Sequence, residues 1–482
     1  MNADYRFDDL FIGGAWVAPD HDKRLEVRSP ATDEVIGYAP DASEADIDRA
    51  VRAARDCFDN SSWPELSFAE RGSYLRKMAS ALETHVDMLA RVTTDESGLP
   101  YHTAAPVHVH RSAELLRYYA DLSEGIRIEE PKGGSLAAAT LRREPVGVVG
   151  SITPWNAPIV IAHFTIGPAV LAGCPLILKT APETPLHGQL LAQIYGDILP
   201  PGAFNVIPAS REASEALVRH SGVDKISFTG SSATGRRIAA ICGEQLTRCS
   251  LELGGKSAGI VLEDADLSAV MPVLGIAIVQ NNCQACVGQT RILAPQSRYD
   301  EVVEAVAAYF DGLKVGDPYD ADTNIGPLIA ERQLRRAEDY VRIGLDEGAK
   351  IVRGGSRPKD LDRGWYLDLT LFRDVDNSMR IAREEIFGPV FVVIPYTDDR
   401  DAIRIANDSD YGLSGTVWTS GQERGWNIAR KIRTGNFGVN TFAIEYSAPF
   451  GGFKSSGIGR QLGEEGLAGF FELKSITSPL GA

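Results

Sequence analysis

An α/β protein is expected, built from two doubly wound blocks of alternating strands and helices. Three observations carry that reading. The chain of 482 residues is long enough for two or three domains with well-buried cores. Short apolar runs such as residues 146–152 suit strands buried on both faces of a parallel sheet. Such runs alternate with segments of helical period, first up to about residue 250 and again from Ala258 to about residue 440.

Taken in order, residues 11–17 read as two short strands about a Gly13-Gly14 turn, and residues 25–38 continue as strand. Ser43 with Asp46 is a helix-starting capping pattern, and Ile47, Ala50, Val51, Ala54 and Phe58 follow at helical spacing. Ser67 with Glu70 opens one long expected helix through Leu75, Met78, Leu82, Leu89 and Val92. A further helix is expected over residues 107–122, then strand over 126–144. Strand 176–179, a helix after Pro185, strand 205–207, a helix through 213–218, strand 225–229 and a helix after Gly230 complete the first block. The tail from 467 to 482 carries short strand-like pieces.

Composition excludes several classes. Hydrophobic content of 44% and charged content of 24% are those of a globular protein in water. A formal net charge of −16 argues against nucleic acid and against an anionic membrane surface as partners. No apolar run reaches the ~18 residues of a membrane-spanning helix, and the N-terminus lacks a basic region followed by an apolar one. Cysteines 57, 174, 242, 249, 283 and 286 are scattered, which suits a reducing, cytoplasmic setting. No metal site is expected: the histidines show no His-Glu-x-x-His spacing, and His108 with His110 reads as a helix surface.

The chemistry concentrates between residues 251 and 291. Leu251-Glu252-Leu253-Gly254-Gly255-Lys256 opens the stretch, and Asn281-Asn282-Cys283-Gln284-Ala285-Cys286 leads to Arg291 at its close. A thiolate can form a covalent intermediate with a carbonyl carbon, and a carboxylate can activate the water that releases it. Gly230-Ser231-Ser232-Ala233-Thr234-Gly235 follows an expected strand and opens an expected helix, where backbone donors favour a phosphate. Read alone, that hexapeptide is more often an ordinary Gly-rich turn. It is not a P-loop, because Arg236-Arg237 stands in place of Lys-Ser/Thr.

Together with Pro154-Trp155-Asn156-Ala157-Pro158, Phe228-Thr229-Gly230-Ser231, Glu384-Glu385-Ile386-Phe387-Gly388-Pro389 and Pro449-Phe450-Gly451-Gly452-Phe453-Lys454, these segments resemble the aldehyde dehydrogenase superfamily. They fall in the family's order and span most of the chain. The resemblance implies two Rossmann-like domains: a dinucleotide-binding one over 1–125 and 143–251, and a catalytic one over 252–450. Residues 126–142 and 451–482 would form a small β arm and tail that bridge subunits of a homodimer or homotetramer.

It also implies roles. Cys286 would be the nucleophile; a free thiol titrates near ~8.5 and needs a local field to ionise at neutral pH. Asn156, with the Cys286 amide, would hold the oxyanion, and Glu252 would be the general base. The cofactor would be NAD, with NADP possible. Lys179 would meet the adenosine ribose. Gly230, Ser231, Gly235, Trp155 and Leu253 would line the cofactor site, and Glu385 and Phe387 would hold the nicotinamide end. The family's ribose-binding Glu is replaced by Pro182, with Glu183 next. Glu183 there would repel a 2′-phosphate. Family positions lining the aldehyde tunnel map to Ile161, Phe164, Gln280, Ala285, Val287 and Phe450, a mostly apolar set that suits an aliphatic or aromatic aldehyde. Gln280, or Glu445 nearby, could bind a polar group.

Cys283 departs from the family pattern and creates Cys-x-x-Cys, so a reversible Cys283–Cys286 disulfide is an expectation to test. Two alternatives stand beside the hydrolytic enzyme. One is a CoA-acylating relative, against which the retained Glu252 counts. The other is a non-catalytic nucleotide-binding protein on the same fold.

Overall fold

The computed structural model describes residues 5–480. Residues 1–4 of the N-terminal segment and the last two residues of the tail lie outside the described residues. Both expected capping boxes form. Ser43 starts the Glu44–Asn60 helix and Ser67 starts the Phe68–Thr84 helix, each exchanging hydrogen bonds with the acid three residues on.

The single long helix expected after Ser67 is two helices. The His85 amide bonds to the Leu82 carbonyl and closes the first. The His85 carbonyl accepts from the Leu89 amide and opens Val86–Ser97. The apolar period carries on across this kink, so sequence spacing could not reveal it. The helix expected over 107–122 also begins differently. A π-turn spans Ala105–His110, and regular α-helix runs only from Arg111 to Leu122. Beyond residue 462 the tail is a short helix, Gly463–Ala468, and one strand, Phe471–Ser478.

Two large sheets dominate, and both are parallel but for their edges. The eight-stranded sheet runs Gly457–Ile458, Arg248–Glu252, Lys225–Thr229, Val149–Ile152, Leu176–Lys179, Phe204–Val206, Leu10–Ile12, Ala15–Val17. Its members from Arg248–Glu252 to Phe204–Val206 are mutually parallel. The seven-stranded sheet runs Lys350–Arg353, Thr370–Arg373, Val390–Tyr396, Arg291–Pro295, Ala258–Val261, Gly415–Trp418, Gly438–Val439. All but Lys350–Arg353 are parallel there. Helices cover both sheets, as the burial of both strand faces demands. A third, antiparallel sheet joins Phe471–Ser478, Ala138–Pro145 and Glu129–Lys132.

Strand order fixes where a ligand can sit. From Val149–Ile152 the chain crosses to Leu176–Lys179 on one side. From Lys225–Thr229 it crosses to Arg248–Glu252 on the other. The crevice between the carboxyl ends of Val149–Ile152 and Lys225–Thr229 is therefore a topological switch point, the place where open α/β sheets bind ligands. The segment after the first strand holds Trp155 and Asn156, and the one after the second holds Gly230 and Ser231.

Candidate active site

Glu252 is the last residue of its strand and lies beside the same crevice. Its backbone is pinned on both sides. The Gly230 amide donates to its carbonyl at 3.0 Å, and Gly457 pairs opposite it on the edge strand. A Cβ on Gly457 would come within 2.2 Å of the Leu251 carbonyl, so only glycine allows that pairing.

Cys286 reaches the crevice from the second unit, the one built on the seven-stranded sheet, through an unusual loop. Asn281, Asn282 and Cys283 are consecutive and all have positive φ, at 53°, 53° and 61°. Left-handed backbone at non-glycine residues is costly and persists only where surroundings enforce it. Here the enforcement is visible. The Asn282 amide donates to the Gly98 carbonyl at 2.9 Å and its oxygen accepts from the Gly326 amide at 2.8 Å. The Gln284 side-chain oxygen accepts from the Ile329 amide at 3.0 Å. Asn281 Nδ2 donates to the Asn156 carbonyl at 3.0 Å, and Asn156 Nδ2 donates to the Gln284 carbonyl at 2.8 Å. This last reciprocal pair ties the two units together beside the thiol. It also leaves the second Asn156 amide hydrogen for another acceptor.

One cavity of about 730 Å³, open mouth included, receives Cys286, Asn156 and Glu252 together. Ile161, Phe164, Gln280, Ala285, Val287 and Phe450 line the same cavity. The Phe164 and Phe450 rings meet edge-on at 6.0 Å. The lining also includes Val107, Arg111, Ile444 and Tyr446, which sequence reasoning missed. No motif marks them. Val107 sits in the π-turn, a helix irregularity common at functional sites that residue spacing cannot announce.

The electrostatics hold protons on the site. Burial, then the nearby Glu385 and Glu252 carboxylates, push the Cys286 thiol up to about 12, against the pull of the Val287 and Cys286 amides. Glu252 is 2% exposed, and burial raises its pKa well above the usual carboxylate range, while Arg460 and the Gly452 amide draw it down. Neither of its oxygens has a well-aligned hydrogen-bond partner. A buried, unpaired carboxylate is a strong base, because its charged form is poorly compensated. A Cβ on Gly451 would stand 2.5 Å from Glu252 Oε1, so glycine there leaves the carboxylate room.

Cys283 is not oriented toward this chemistry. It is fully enclosed in the core of the second unit with Leu274, Ile278 and Trp418, whereas Cys286 packs against the core of the first. Both thiols are free, and the two cores they face give no support to the reversible disulfide.

A second set of groups forms a cradle on the other side of Cys286. Glu385 Oε1 accepts from the Gly255 amide at 2.9 Å, and among the described residues its other oxygen makes no hydrogen bond. Burial lifts its pKa to about 7, while Gly255, Lys256 and Arg336 draw it down. Gly254 is a glycine for this reason: a Cβ would lie 2.2 Å from Glu385 Oε2. Phe387 holds φ at 62°, braced by Gln333 Nε2 donating to its carbonyl at 2.7 Å, and its ring meets Trp155 edge-on at 5.3 Å.

Gly230 and Ser231 precede the Ser232–Gln245 helix, whose Thr234 amide is capped by Ser231. Gly235 packs under Leu253, whose side chain would have to move for a Cβ there. Lys179, at its strand end, is 5% exposed, and burial lowers its pKa to about 8 against the pull of Glu183 and Asp41. A buried cation, a helix N-terminus, an aromatic edge and a tethered carboxylate fit a dinucleotide with its phosphates, ribose hydroxyls and flat ring. Glu183, expected to repel a 2′-phosphate, pairs with Arg332 at 2.7 Å.

The family model described as "Aldehyde dehydrogenase family" matches residues 16–476. This chain therefore belongs to the aldehyde dehydrogenase family, as its motifs suggested. Among its relatives is geranial dehydrogenase of Castellaniella defragrans, 44% identical over 97% of this chain and 98% of its own length. A Pseudomonas 3-succinoylsemialdehyde-pyridine dehydrogenase is 40% identical over 98% of each chain. A crystal structure of a Mycobacterium tuberculosis aldehyde dehydrogenase complexed with NAD+ is 45% identical, covers 100% of both chains and superimposes with a TM-score of 0.98.

Proposed function

We propose that this enzyme oxidises an aldehyde to the free carboxylic acid with NAD, through a cysteine-bound intermediate. The convergence of Cys286, Asn156 and Glu252 on one cavity carries the reading. Once the Cys286 thiol has released its proton to solvent, the thiolate attacks the aldehyde carbon and forms a C–S bond, and the carbonyl electron pair moves onto oxygen. The free hydrogen of the Asn156 amide and the Cys286 backbone N–H hold that oxyanion. NAD, when bound, accepts the hydride that leaves the carbon. The carbon stays on Cys286 as a thioester. Glu252 then takes a proton from water, hydroxide replaces sulfur, and the acid leaves. The high pKa of Glu252 suits that task, since a carboxylate of ordinary pKa is too weak a base for water.

Lys179 and Glu385 would take ribose hydroxyls, Gly230, Ser231 and Gly235 the phosphate end, and Trp155, Leu253 and Phe387 the cofactor's flat surfaces. The apolar lining from Ile161, Phe164, Val287 and Phe450 suits an aliphatic or aromatic aldehyde. The three-stranded arm would join copies into a homodimer or homotetramer; Leu473 and Ile476 on its outer strand are 64% and 45% exposed. A cytoplasmic setting fits the free cysteines. The test is NADH absorbance over an aldehyde panel, with and without CoA. Acid release without CoA supports the reading; strict CoA dependence would move the enzyme to the acylating class.

A further inference from the structure

The cysteine cavity opens into a second, outer cavity of about 1570 Å³, its open side included. The two share a wall of Val107, Arg111, Gln280, Asn281, Ile444 and Tyr446. This neck differs from the chamber behind it. Three of its side chains are polar and idle: among the described residues, Arg111, Gln280 and the Tyr446 hydroxyl make no side-chain hydrogen bond or ion pair. The Gln280 amide nitrogen is shut off from solvent with no partner. Asn281 beside it is occupied by the Asn156 carbonyl. A buried unpaired amide such as that of Gln280 is costly unless a ligand satisfies it, and Arg111 and Tyr446 beside it are open enough to turn to the same ligand.

We propose that Arg111, Gln280 and Tyr446 form a recognition subsite for an uncharged hydrogen-bond acceptor carried by the substrate at a distance from its aldehyde group. The substrate is then an aldehyde with an apolar segment next to the reacting carbon and a carbonyl oxygen further out. The geometry selects each part. Ile161, Phe164, Val287 and Phe450 give the inner chamber an apolar wall for a chain, whereas the neck offers a guanidinium, an amide and a phenol. Charge selects against an anion: Glu114 and Glu445 line the outer cavity, and both, with Arg111, act on the Tyr446 hydroxyl. These two carboxylates on the outer cavity offset the one guanidinium of the neck, so a carboxylate gains no net attraction on its way in. A neutral oxygen meets only the donors.

This inference rests on the aldehyde-oxidising reading, so the test uses matched aldehydes on the intact enzyme. Three substrates of equal chain length are compared: a plain alkanal, an alkanal with a remote ketone and an alkanal with a remote carboxylate. For the wild type, kcat/KM should be highest for the ketone and lowest for the carboxylate. In Arg111→Met and Gln280→Leu, the ketone-to-alkanal ratio should fall roughly tenfold, the loss of one hydrogen bond to a charged or confined donor. Tyr446→Phe should lower the same ratio less. A wild-type ratio near one, a ratio unmoved by these variants, or a preferred carboxylate would each overturn the subsite. No oxidation of any of the three would instead break the aldehyde-oxidising reading itself.

Discussion

Two glutamates, Glu252 buried and Glu385 half-buried, flank the Gly254-Gly255 turn, and they are held in opposite ways. Glu385 is tethered: the Gly255 amide binds one oxygen, and burial raises its pKa only to about 7 because Gly255, Lys256 and Arg336 draw it down. Glu252 lacks a well-aligned partner, and burial keeps its pKa high. The contrast separates two jobs that one residue type can do. A carboxylate that must hold a ligand is fixed and partly compensated, so it is pointed before the ligand arrives. A carboxylate that must take a proton is left uncompensated, so protonation is favourable when water offers the proton. The same division runs through the cavity itself. Around Cys286 nearly every polar group is tied to backbone, whereas at the neck three polar side chains stand open.

The first way to break the comparison removes what both glutamates serve. Cys286→Ala should abolish NADH production while cofactor binding, followed by fluorescence titration, survives. Appreciable turnover would put the nucleophile elsewhere. Asn156→Ala should lower kcat by roughly 10²-fold, the loss typical of one oxyanion donor. A pure change in KM would mean that Asn156 only binds the ground state.

Glu385→Gln should sit lower on the scale, because a tethered holder contributes binding rather than proton transfer. A rise of roughly tenfold in the KM for NAD is expected, the worth of a hydrogen bond to a charged acceptor. The sign of its pH dependence follows from the raised pKa: below about 7 the carboxyl is protonated and a poorer acceptor. The wild-type KM for NAD should therefore rise as pH falls from about 8 to about 6, and the Gln variant should lose that slope. A variant that keeps the slope would detach it from Glu385.

The chain declared part of this in advance. Capping boxes at Ser43 and Ser67 are local, so three residues suffice to read them. The strands of the first sheet were legible because burial on both faces leaves an unbroken apolar run. Glu252, Asn156 and Cys286 were legible because each stands in a segment whose glycines, prolines and amides serve backbone geometry, as Gly254 and Gly457 show. The break at His85 was not, since the apolar period continues through it. Nor was the neck: Arg111, Gln280 and Tyr446 come from three distant segments, and only packing brings them to one wall. The Glu183–Arg332 pair was hidden for the same reason.

The contrast between the two glutamates stands or falls on Glu252→Gln. Rapid mixing with NAD and aldehyde, followed by mass analysis of the Cys286 peptide, tests it most directly. With the proton acceptor gone but the nucleophile and oxyanion donors intact, one NADH per active site should appear in a burst, and an acyl mass should build up on Cys286. The steady rate should then be lower by roughly 10²–10⁴-fold, the usual contribution of a general base. An unchanged steady rate with no acyl mass would contradict the assignment of Glu252 as the base that releases the acid.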